Sequence, residues 1–183
     1  MTTATGLIDR YQDYRVRRWL VHEQRMAGMF PTWRTRRRRR ALVVTVAVSL
    51  AALFVTGVLC AFDLQWATLL ILPVILIFLG AWTMLRIVSQ GQDNAPAEIL
   101  DELEIAQRTA ARSIGLSVTQ WLTLPPLFYV IWAPALASEM SAFQTSYAGG
   151  VMILATLLAG GCAPAMILAW TRPEPEPEPE PEG

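Results

Sequence analysis

The sequence contains no lysine and a single histidine, His22; all fifteen of its bases other than that imidazole are arginines. Without a second histidine there is no imidazole pair for a metal, and His22 has Glu23 as its neighbour, which on a helix points another way. The chain also lacks GxSxG, a P-loop and a dinucleotide fingerprint. These absences leave no catalytic constellation, so no enzyme activity, no cofactor and no metal are expected. Only two cysteines occur, Cys60 and Cys162. Cys60 falls near the far end of one apolar run, and Cys162 about fifteen residues, or roughly 22 Å, from the corresponding end of another. A disulfide needs Cα atoms within about 7 Å, so both read as small packing residues.

Charge is the other thing missing, and it is missing in blocks. Hydrophobic residues make up 54% of the 183 residues, with a mean hydropathy of +0.37. The net charge is zero, yet residues 1–40 carry eleven arginines against Asp9, Asp13 and Glu23, while residues 173–183 carry five glutamates and no base. Ala41–Phe62 holds no charge at all. At 1.5 Å per residue that run covers roughly 33 Å, enough for a hydrocarbon core of about 30 Å. Trp66–Leu85 is a second such run, with Pro73 expected to kink it. A third spans about Ser113 to Leu136, less apolar and with Pro125-Pro126 inside. The fourth spans about Tyr147 to Trp170 and contains the kink-prone Gly160-Gly161-Cys162-Ala163-Pro164.

The expected fold is therefore all-α and membrane-integral, with four transmembrane helices as two hairpins plus cytoplasmic amphipathic helices. Residues 1–40 form a basic arm, 41–86 the first hairpin, 87–112 an acidic amphipathic helix continuous with the third span, 113–172 the second hairpin, and 173–183 a tail. If the spans alternate, every arginine falls on one side and the loops near Asp63–Gln65 and Ala137–Ser146 carry none. The positive-inside rule then places both termini in the cytoplasm of a bacterial plasma membrane. Trp66, Trp82, Trp132, Tyr147 and Trp170 near the span ends suit interfacial aromatics. The first apolar run follows forty residues and lacks a small-x-small site, so no cleaved signal peptide is expected.

Several segments offer docking surfaces. Over residues 7–30, Leu7, Tyr11, Tyr14 and Val21 approximate one stripe of a basic amphipathic helix, suited to anionic lipid headgroups or to a partner protein. Each base near a membrane surface contributes about 1 kcal/mol to such binding. Arg34 and Arg36, Arg37, Arg38, Arg39 and Arg40 sit flush against the first span. That position reads as a topology and lipid anchor, and no nucleic-acid role is expected. In the central segment, Asn94 and Pro96 suit a helix start, with Glu98, Asp101 and Glu102 at its positive end. Arg108 and Arg112 follow in its later half. Ile99, Leu103, Ala106 and Ala110 share one face, and one long helix is expected from about Pro96 towards Pro125. The final run of alternating Pro and Glu favours extended polyproline II, as a solvated tail or an electrostatic tether.

Within the spans, Ser117, Gln120 and Thr123 make a polar stripe, read either as interhelical hydrogen bonding or as a pore lining. Ala155, Ala159 and Ala163 at four-residue spacing permit close helix approach. Ion-coupled carriers place a carboxylate, lysine or histidine inside the membrane, and none lies in these span interiors.

The stretch Ala95-Pro96…Leu100-Asp101-Glu102-Leu103-Glu104…Arg108, set between two hydrophobic hairpins and preceded by a basic arm, resembles uncharacterised multi-pass proteins of actinobacteria. The lysine-free composition fits that GC-rich setting. The resemblance implies no activity; by class it implies a small helical accessory subunit of a membrane assembly, respiratory or envelope. The expected function is thus a non-catalytic accessory or scaffold subunit whose partners are other membrane proteins or itself. A small oligomeric transporter or channel lined by the third span is the alternative.

Overall fold

The computed structural model describes Tyr14 and residues 35–89, 102–137, 140–141 and 143–171. The chain is all-helical over these residues, with no strand among them, and four of its helices are long and apolar enough to cross a membrane. Helix α1, Arg36–Ala61, begins inside the arginine run, whose straight side chains tolerate a helix as well as the apolar residues after them. It stops where Asp63 takes a left-handed conformation at φ 63°, which aspartate accepts more readily than branched residues do. Backbone N–H groups of Phe62 and Leu64 both close onto the Leu59 carbonyl at 3.1 Å. A 3-10 turn, Gln65–Ala67, leads into α2, Thr68–Val88, which continues through Pro73.

Helix α3 is a single element, Glu102–Leu136, of 35 residues. Its length of roughly 52 Å exceeds a hydrocarbon core of about 30 Å by roughly three quarters, so its first turns extend beyond any span. Sequence reasoning carried this helix towards Pro125, but it runs on through Pro125, Pro126 and Pro134. Each proline removes one N–H and frees one carbonyl, which bends a helix without ending it when neighbours hold it. The Asn94–Pro96 start expected from the sequence lies outside the described residues.

The turn from α3 is held by polar contacts. The Tyr129 hydroxyl donates to the Gln144 carbonyl at 2.7 Å, and the Ser141 N–H donates to the Gln144 side chain at 2.8 Å. A π-turn, Phe143–Tyr147, then delivers α4, Ala148–Thr171, which passes unbroken through Gly160, Gly161 and Pro164.

These four helices form a layer in the order α2, α1, α4, α3. The short turns pair α1 with α2 and α3 with α4, and α1 packing on α4 joins the two hairpins. One core cluster gathers Val46, Leu50, Phe78, Leu85 and Cys162; a second, nearer the turn end, gathers Cys60, Ala67, Ala148 and Met152. Both cysteines are buried, one in each cluster, and neither is part of a disulfide. Helices α2 and α3 form the edges of the layer.

Candidate interaction surfaces

The seam between α3 and α4 depends on residues without side chains. A Cβ on Gly115 would lie 3.1 Å from the Gly160 carbonyl and 2.9 Å from the Pro164 ring. A Cβ on Gly160 would collide with Thr119. Hydrogen at both positions is what lets the two backbones approach, in the manner that small residues allow in membranes. Just along the seam the Thr123 hydroxyl donates to Thr156 Oγ1 at 3.2 Å, and Thr156 itself donates to the Ile153 carbonyl at 2.8 Å. The same device joins α1 to α4, where Gly57 faces the Met152 side chain at 2.7 Å from a built Cβ. A glycine recurring at helix-helix contacts is a signal the sequence does carry. The sequence alone marks Gly160-Gly161 as kink-prone, whereas α4 runs unbroken through both.

The polar triplet on α3 divides. Thr123 turns towards α4, whereas Ser117 and Gln120 are exposed on the side away from it. Successive steps of three on a helix rotate by about 60°, so the triplet fans over a third of the circumference. Ser117 and Gln120 instead fall in line with the amphipathic stripe of the preceding segment. Leu103, at 65% exposure, and the exposed Ala106 belong to that line; Ile99 lies outside the described residues. So does Tyr11, while Tyr14 is exposed. The structure therefore brings Leu103, Ala106, Ser117 and Gln120 onto one outward face.

Ala155, Ala159 and Ala163 line a groove of about 620 Å³ between α1 and α3, floored by α4. Its walls come from Leu50, Phe54 and Val55 of α1 and from Ile114, Val118 and Leu122 of α3. Apart from Thr156 the lining is apolar. A surface of this kind suits hydrocarbon and offers nothing to an ion or a polar solute.

The arginine cluster sits at one end of the layer. Arg36, Arg37 and Arg38 are exposed and Arg39 is buried, while Arg34 lies outside the described residues. The Arg40 guanidinium lies 4.7 Å over the Trp170 ring, tying the start of α1 to the end of α4. Arg86 lies 5.6 Å over Trp82 in the last turns of α2. The helix directions bring Arg108 and Arg112, early in α3, towards the same end. Among the described residues no three His, Cys, Asp or Glu side chains converge. Comparison of the chain with protein-family models, with curated proteins and with solved structures finds no match to any of them.

Proposed function

We propose that this chain is a non-catalytic, four-span protein of a bacterial plasma membrane, with both termini cytoplasmic, that serves as an accessory or scaffold subunit binding other membrane proteins. One observation carries the reading. Helix α3 has the lowest mean hydropathy of the four spanning candidates, 1.3 against 2.2 to 2.6, and also the least buried apolar stretch, at 11%. In lipid the more polar helix gains by facing protein, because an amide or hydroxyl in hydrocarbon without a partner is costly. An edge position for α3 is therefore an arrangement that another protein surface would complete. The gathering of the described arginines at one end supports the cytoplasmic assignment of both termini. So does the juxtamembrane Arg36–Arg40 run, which also suits anionic headgroups.

Purification from native membranes in mild detergent, followed by identification of co-purifying subunits, tests this reading. Stoichiometric membrane partners are the expected result. A protein that emerges alone, monomeric and monodisperse would sink it. A tag at Gly183 reachable from outside intact cells, with one at Met1 unreachable, would overturn the even number of crossings.

A further inference from the structure

The groove of about 620 Å³ between α1 and α3 exists because its lining is short of side chain. Ala155, Ala159 and Ala163 on α4, and Ala47 and Ala51 on α1, present methyl groups where longer side chains would fill the space. Along α4 the lining runs from Ala155 to Ile167, a rise of about 18 Å. One leaflet of a hydrocarbon core is about 15 Å deep. The groove ends beside the arginine cluster. Ile167 precedes Trp170 by three residues, or about 4.5 Å, and the Arg40 guanidinium lies 4.7 Å over the Trp170 ring. Arg40 also precedes Ala47 by seven residues, which turn a helix through about 700° and so return to within about 20° of the same direction. Arg40 therefore stands above the groove on the side of α1 that lines it, with Arg36 one turn farther out on the same line. Among the described acids, Glu102 and Glu104 begin α3 at this end, about 6 Å or more farther out than Arg108.

From this we infer that the groove binds an anionic phospholipid, with one acyl chain along Ala155, Ala159 and Ala163 and the phosphate held by Arg40. The inference goes beyond the accessory-subunit reading and rests only on its membrane placement. Length, lining and charge together select this occupant. A groove one leaflet deep matches a lipid tail, whereas a spanning helix of another protein would need a surface of about 30 Å. The one polar lining residue, Thr156, already donates to the Ile153 carbonyl and accepts from Thr123, so it asks nothing of a ligand. Methylene chains meet apolar walls on three sides there, while a tail elsewhere on the layer meets protein on one. At the mouth, a guanidinium offers a fork of N–H donors that takes two phosphate oxygens at once. Trp170 suits the headgroup boundary at the same level. The cationic rim favours a lipid of net negative charge over a zwitterionic one, whose ammonium the arginines repel.

The test uses the full chain in mild detergent and reads, by native mass spectrometry, how much phosphatidylglycerol or phosphatidylcholine of the same acyl chains it retains. One phosphatidylglycerol is expected, held about 5-fold more tightly than phosphatidylcholine. Arg40→Gln is expected to abolish that preference and leave phosphatidylcholine retention unchanged. Ala51→Phe and Ala159→Phe, which fill the groove from α1 and from α4, are expected to weaken retention of both lipids about 10-fold. Leu76→Ala, on the outer side of α2, is expected to change neither. Arg40 lies outside both core clusters, so Arg40→Gln decides the headgroup claim even where a phenylalanine variant fails to accumulate. Equal retention of the two lipids by the unmodified chain overturns the site while the membrane reading stands. So does lipid retention that neither phenylalanine variant weakens, including the case in which those variants instead release a bound protein. A chain that alkaline carbonate strips from the membrane overturns both.

Discussion

Helices α4 and α3 differ in almost every respect although they are neighbours in sequence and in space. Helix α4 buries 39% of its apolar stretch and lies between α1 and α3; α3 buries 11% and lies at the edge. The central helix is rich in glycine and alanine and touches both neighbours through them. The edge helix is longer, more polar, and presents large side chains such as Trp121, 74% exposed, to its surroundings. Lipid offers apolar side chains as good an environment as protein does, so burial in a membrane layer follows backbone proximity and polar contacts rather than hydrophobicity. Small residues therefore mark the closest approaches between these two helices.

The sharpest way to break that contrast is to add a side chain on each side of α4. Gly160→Val pushes two methyl groups into Thr119 on α3, and no rotamer avoids the backbone behind it. A loss of about 3 kcal/mol in unfolding free energy, or failure to accumulate, is expected, at the upper end of overpacking costs. Gly161→Val, one residue on, meets nothing within 4 Å and should change stability by no more than about 0.5 kcal/mol. Detergent-titration unfolding of the two variants side by side measures this. Equal effects would mean that α4 does not pack on α3 through Gly160.

How much of this was legible beforehand depends on the length of the signal. The four helices were readable because each rests on twenty or more residues without charge, a constraint that no local detail overrides. Fusion of the amphipathic segment with the third span was readable too, since only Gly115 stands between them. The rotation of each helix about its axis was not. Ser117, Gln120 and Thr123 are spaced so that either end of their fan can face a neighbour, and the Gly115–Gly160 contact decides that Thr123 does. Ala155, Ala159 and Ala163 likewise satisfy a packing pattern, yet they line the groove between α1 and α3 while glycines make the closest approaches. Pattern restricts which residues can share a face; only the contacts of the whole layer select the face that is covered.

A finer test of the same seam is Thr123→Val. The substitution keeps the shape and removes the hydroxyl that donates to Thr156. Because Thr156 retains its own bond to the Ile153 carbonyl, no donor is stranded. The expected cost is accordingly near the average for one interhelical hydrogen bond in a membrane, about 0.6 kcal/mol. A loss of more than about 2 kcal/mol in the same unfolding assay would show that Thr123 supports more than this one contact.

The smallest expected effect lies at the opposite edge. Leu72 and Leu76 of α2 are 68% and 61% exposed, and α2 has a mean hydropathy of 2.4, close to that of the central helices. An apolar edge would need no protein cover in a membrane, where hydrocarbon suits it as well as another helix would. Replacing both leucines with alanine should leave unfolding within about 0.5 kcal/mol and cost only a few tenths of a kcal/mol per residue in insertion. It should also leave any complex captured in mild detergent intact. If partner yield falls instead, α2 is a docking face as well, and polarity would no longer distinguish an edge that meets protein from one that meets lipid. Exposure, common to both edges, would then discriminate neither.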